Sequence, residues 1–154
     1  MKSIFISVLA ASILTLTSCS GGGSSILGGS WSYKGINYSA VTAIGSTTAH
    51  TLTATTGSTS EVDDLVFHFS TYPPAPGTYK VINTFSPAPT SSQVYVVMNL
   101  GTKGFTVDAT NSYDAVVSVS GTKVSVTIGS VTFSNVTGQA IDSGPFTATI
   151  SQNL

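Results

Sequence analysis

This 154-residue chain contains no arginine, and charged residues make up only 7% of it, against a usual share of about a quarter. Nucleic-acid binding rests on clustered Lys and Arg that displace counterions. Lys34, Lys80, Lys103 and Lys123 are spread along the chain and form no such footprint, so nucleic acid is excluded as a partner. Cysteine is nearly absent too. Cys19 is the only one, which rules out an intramolecular disulfide. Beyond the first sixteen residues no apolar run approaches the ~18 residues of a membrane-crossing helix, and none carries a 3.6-residue apolar period. No repeat of fixed length is present either. Thr51 to Thr56 invites comparison with threonine-ladder ice binders, but those need the same spacing on successive coils. Threonine here simply suits an exposed strand face.

Hydrophobic residues make up 41% of the chain, enough for collapse, so disorder is not expected beyond an N-terminal tether. The length suits one core rather than two. With so little charge, the surface must be built mainly from Ser, Thr, Asn and Gly.

The N-terminus is the most informative stretch. Lys2 precedes an apolar run from Ile4 to Leu16, then Thr17 and Ser18, then Cys19. That is the pattern of a secretory signal whose cleavage point is a cysteine. It resembles the lipobox of bacterial lipoproteins, which implies that the Cys19 thiol takes a diacylglyceryl group and becomes the new N-terminus. A buried free thiol is the alternative, but the position between an apolar run and a Ser-Gly stretch favours lipidation. The expected organisation is a signal peptide over 1–18, lipidated Cys19 and a flexible tether over 19–30, and a single domain over 31–154. The anchor makes the membrane a partner through the lipid on Cys19.

From Trp31 the pattern is strand after strand. Trp31–Lys34 and Tyr38–Ala43 flank Gly35-Ile36-Asn37, read as a hairpin loop. Thr47–Thr56, Leu65–Phe69, Thr78–Phe85, Val94–Leu100, Phe105–Asp108 and Ala115–Ser120 follow, then Lys123–Ile128, Ser130–Val136 and Phe146–Ser151. Val124, Val126 and Ile128 alternate with Ser125 and Thr127, the period of a half-buried strand. Pro73, Pro74 and Pro76 fix a loop, because proline donates nothing to a ladder. These features predict an all-β domain: an antiparallel β-sandwich, with a closed or partly open β-barrel as the alternative.

Candidate chemistry is sparse. His50 and His68 lie on consecutive strands, but aligning Leu52 and Ala54 with Leu65, Phe67 and Phe69 puts the two histidines on opposite faces. They are therefore not read as a metal pair. Glu61, Asp63 and Asp64 cluster in one turn, and Asp108, Asn111 and Asp114 in another. Neither has the spacing of a known calcium loop, and nothing pairs two carboxylates across a cleft for glycoside hydrolysis. There is no Gly-x-Ser-x-Gly elbow and no phosphate loop. No catalytic residue, metal ligand or cofactor is assigned, and an enzyme is not expected. Trp31, Tyr33, Tyr38, Tyr72, Tyr79 and Tyr95 could offer rings to a sugar or peptide. Trp31 and Tyr33 share one strand face and read as core. Tyr72, beside Pro73-Pro74, is the candidate for an exposed ligand-binding ring.

Several stretches resemble small lipoproteins of the Bacteroidota group whose domains carry no assigned function. They are the Ser18-Cys19-Ser20-Gly21 lipobox end, Trp31-x-Tyr33-x-Gly35-x-x-Tyr38-Ser39-Ala40, Pro76-Gly77-Thr78-Tyr79-Lys80-Val81, and the closing Gly144 to Ile150. The resemblance implies an all-β fold and supplies no catalytic residues. Ser20 after the cysteine, rather than aspartate, favours the outer membrane by analogy with lipoprotein sorting in Gram-negative bacteria. The absence of an acidic run there favours the periplasmic face over the cell surface. The expected function is a lipid-anchored, non-catalytic binding or structural module of the cell envelope. The alternatives are a carbohydrate- or peptide-binding accessory module with a glycan or envelope protein as partner, or a small hydrolase or metal-dependent enzyme.

Overall fold

The structure, a computed structural model, describes residues 27–57, 63–108, 112–135 and 143–154. These residues form ten strands and no helix: β1 (Leu27–Tyr33), β2 (Ile36–Ser46), β3 (Thr51–Thr55), β4 (Asp64–His68), β5 (Gly77–Ile82), β6 (Gln93–Leu100), β7 (Lys103–Val107), β8 (Tyr113–Ser120), β9 (Lys123–Asn135) and β10 (Ser143–Asn153). The all-β expectation holds. Period-two alternation decides which side chains go inside: Val124, Val126 and Ile128 of β9 are buried, as are Val94, Val96 and Met98 of β6.

All ten strands belong to one sheet, in the order β10-β1-β2-β3-β4-β6-β5-β8-β9-β7, with β10–β9 and β6–β7 also paired. The order therefore closes on itself. Between β6 and β9 the wall is split: β5 and β8 fill one end and β7 the other. This circuit has the connectivity of a barrel and gives every strand a neighbour on both sides. All pairs are antiparallel except β5–β6, whose connection returns to the starting end before β6 begins.

Three local details differ from the sequence reading. The first hairpin turns in two residues, with positive φ at both Lys34 (52°) and Gly35 (78°), the type I′ geometry that matches strand twist. Ile36 and Asn37 therefore already belong to β2, and Ile36 faces Tyr33. Gly129 does not separate two strands. Phe146 pairs with Val131 but Ala148 with Ile128, so Gly129 and Ser130 together oppose Thr147 in a bulge within one 13-residue strand. Strand β1 also starts at Leu27, taking in Leu27–Ser30, which composition had placed with the tether.

The core fills the interior, with Trp31, Phe67, Phe105, Phe133 and Phe146 its largest buried side chains. Phe133 and Phe146 stack with centroids 4.1 Å apart and planes 11° from parallel. Outside, hydroxyls replace charge. Ser39, Ser30, Thr149 and Thr127 form one exposed row across β2, β1, β10 and β9, so a chain with few ions still presents a wettable wall.

The two ends of the barrel differ. At the end where β2 and β10 finish, Tyr72 and Gln152 close the interior. The Tyr72 hydroxyl donates to Gln152 Oε1, and both residues are buried. A Cβ at position 45 would overlap the Tyr72 ring and the Gln152 amide, so only glycine allows β2 to pass this plug. The opposite end carries the β1–β2 and β6–β7 turns.

Candidate functional site

The end with the β1–β2 and β6–β7 turns holds, among the described residues, a cleft of about 390 Å³, a size and position common for ligand pockets in barrel mouths. Its floor is the Tyr33–Phe105 ring pair, centroids 5.0 Å apart. Both rings are buried, which fixes them as a rigid apolar base. Ile36, 60% exposed, and half-buried Leu100 form the walls. The type I′ turn is what places Ile36 on the rim.

Polar groups converge above this base. Asp63 Oδ1 accepts the Gly101 N–H at 3.0 Å, tying the approach to β4 to the β6–β7 turn. Next to it, Asp64 accepts from Asn99 Nδ2 at 2.6 Å. Burial raises the Asp64 pKa, the Asn99 hydrogen bond opposes that rise, and the neighbouring Asp63 charge adds to it. Tyr38 also lines the cleft, and its pKa is raised by burial and then by the Asp63 carboxylate. Its phenol therefore stays protonated at neutral pH and can donate. Lys34 and Lys103 complete the lining, with Lys34 Nζ 5.6 Å from the Tyr33 ring centroid. The cleft thus combines an apolar floor, two tyrosine phenols, a carboxylate and two cations. That combination suits non-covalent capture of a compact ligand with an apolar body and an anionic group.

The only tryptophan sits directly behind this site. Trp31 is buried and stacks on Tyr38 with centroids 5.4 Å apart and planes 7° from parallel. Its Nε1 has no hydrogen-bond partner, an uncommon state for a buried donor. Any change at Tyr38 is therefore coupled to the indole.

The sequence candidates fare unevenly. Tyr72 is not an exposed ring. It is 8% exposed, packs near Phe69 (6.4 Å between centroids) and is held by Gln152, so its expected ligand role is withdrawn. The adjacent prolines shape the loop, but Gln152 draws the phenol inward. Trp31 and Tyr33 are core, as read, and so is Tyr79, whose hydroxyl donates to the Ala75 carbonyl at 2.8 Å. His68 is half-buried on the outer face of β4, opposite Thr51. His50, expected to share the face of Leu52, precedes β3 with φ 54° and is exposed. Among the described residues no three His, Cys, Asp or Glu side chains gather for a metal. Asp114 pairs with Lys80 across β8 and β5 at 2.7 Å, a surface contact. Cys19, Glu61 and Asn111 lie outside the described residues.

Ile36, Leu100 and Phe105 were not foreseen as site residues. The one usable signal was Lys34-Gly35: read as a two-residue turn, it would have set Ile36 opposite Tyr33. Comparison with family models, curated proteins and solved structures gives no significant match.

Proposed function

We propose that this protein is a lipid-anchored, non-catalytic binding module of the bacterial cell envelope, of the kind found among the Bacteroidota lipoproteins it resembles. In this reading Cys19 carries the lipid, the outer membrane holds it, and the domain lies on the periplasmic face. The mouth cleft takes a compact ligand with an apolar body and an anionic group.

The observation that carries this reading is the polarity of the barrel. β1 runs from the plugged end at Leu27 to the mouth at Tyr33, so the chain joins the domain at the end opposite the cleft. Eight residues, 19–26, separate Cys19 from β1. An anchor at the plugged end leaves the mouth pointing away from the bilayer.

Two measurements test the proposal. Cys19→Ala, or inhibition of the lipoprotein signal peptidase with globomycin, should yield unprocessed or soluble protein; unchanged membrane association would refute the anchor. Anilinonaphthalene sulfonate, which joins fused rings to an anion, serves as a probe for the cleft. Its affinity should fall at least about tenfold (~1.4 kcal/mol) in Ile36→Asp and in Lys103→Glu. Val116→Asp, exposed on β8 and outside the cleft lining, should leave it unchanged. Equal affinity in all three variants would remove the cleft from the account.

A further inference from the structure

The first hairpin turn, at the mouth, holds an unexpected residue. Lys34 takes φ 52°, a left-handed conformation that is costly for an L residue. Turns of this type prefer Asn, Asp or Gly there. A lysine kept against that preference points to a use for its side chain. The stem of that side chain has a seat. A Cβ at position 144 would overlap Lys34 Cγ and stand 2.9 Å from Cε and 3.2 Å from Cδ, so the stem lies along the Gly144 backbone on β10. Gly144 is not one of the positive-φ glycines. The lysine stem, rather than the backbone, is what calls for glycine at this position. The Lys34 N–H also donates to the Pro145 carbonyl at 3.0 Å, tying the turn to the same stretch of β10. From this seat Nζ lies 5.6 Å from the centroid of the Tyr33 ring, half of the cleft floor.

We infer that Lys34 is the residue that selects the ligand's charge, with Gly144 as its positioning residue, and that the ligand is an aromatic acid whose anionic group is attached directly to the ring. This rests on the reading of the mouth cleft as a binding site. Two rings as a floor favour a flat aromatic body, which they meet by offset or edge contact. The Lys34 ammonium stands close over that floor, so it meets an anion only where the charge lies at the edge of the body resting there. A charge carried on a long spacer is held away from it. The seat on Gly144 adds preorganisation. A lysine stem placed before the ligand arrives has less rotamer freedom to lose on closing over an anion. Lys103, the other cation of the lining, comes from the opposite turn at the start of β7 and serves as the internal comparison.

Calorimetric titration of the full-length protein in detergent tests this with three probes: naphthoate, its neutral amide, and naphthylbutyrate, whose carboxylate hangs on a flexible spacer. The parent should bind naphthoate at least about tenfold more tightly than naphthamide. Lys34→Met should abolish that preference and should weaken naphthylbutyrate less than naphthoate. Gly144→Ala, which displaces the stem, should reproduce most of the naphthoate loss while naphthamide binds as in the parent. That split separates positioning from a general loss of fold, and far-ultraviolet circular dichroism should be unchanged in both variants. A preference that survives Lys34→Met, or that only Lys103→Met removes, overturns the assignment and leaves the cleft in place. Equal losses for naphthoate and naphthylbutyrate overturn the placement of the charge on the ring, and a parental preference in Gly144→Ala overturns the seat. Binding of none of the three probes by the parent overturns this inference together with the cleft itself.

Discussion

Alkaline pH should destabilise the plugged end of the barrel through Tyr72. Burial pushes its phenol from the ordinary 10.0 up to about 12. The folded state thus favours the neutral form, whereas an unfolded tyrosine ionises near its ordinary value. Because the folded pKa lies above the unfolded one, this contribution is complete below about pH 10 and lost as pH climbs toward about 12. Each pH unit of difference corresponds to ~1.36 kcal/mol, so the two units amount to roughly 3 kcal/mol. That is a sizeable fraction of the ~5–15 kcal/mol that holds a typical domain. Tyr38 and Tyr79 are also raised by burial and steepen the parent's loss. Tyr72→Phe removes the ionisable group and should flatten the alkaline limb by up to about 3 kcal/mol. At neutral pH the same variant leaves Gln152 Oε1 without its phenol donor, at a cost of about 1–3 kcal/mol. Guanidinium unfolding followed by Trp31 fluorescence, at several pH values from about 8 to about 12, measures both effects. Parallel pH dependence in parent and variant would refute the argument, because the limb would then not belong to Tyr72.

Three further outcomes follow from packing and burial. Gly45→Ala should cost about 1–3 kcal/mol by forcing apart the Tyr72–Gln152 plug, read as a shift of the denaturation midpoint at unchanged slope. Phe133→Ala removes half of the stacked pair in the core and should cost about 3–5 kcal/mol, enough to lower the melting temperature sharply in calorimetry. Burial holds the His68 pKa below the ordinary 6.5. The stability it supports is therefore present above about 6.5 and falls as pH drops through its folded pKa. His68→Gln should flatten that acid limb; an unchanged limb would place the acid sensitivity elsewhere.

Much of the fold was legible in the sequence because strands record their surroundings at a period of two. Val124, Val126 and Ile128 announce an inner face without reference to any other strand, and Ser125 and Thr127 an outer one. Scarce charge likewise required a hydroxyl-covered exterior, and Ser30, Ser39, Thr127 and Thr149 supply it. Local turn chemistry was legible only in part. Lys34-Gly35 completes the first hairpin alone, and Gly129 feeds a bulge rather than a break, because backbone dihedrals and cross-strand register are not set by residue type.

Sequence alone determined the class of fold, the inward and outward residues of most strands, and the resemblance of the leader to a lipobox ending at Cys19. Tertiary structure alone decided which distant side chains meet. Tyr33 and Phe105 form a cleft floor because β6–β7 closes onto the same end as the first hairpin. Tyr72 became a plug because Gln152, 80 residues away, accepts its hydroxyl. Phe85 joined His68 and Tyr95 because the β5–β6 connection folds back across the outer wall. Periodicity reports on neighbours within a strand, whereas these meetings depend on how the strand circuit closes, and closure is a property of pairings between residues far apart in the chain.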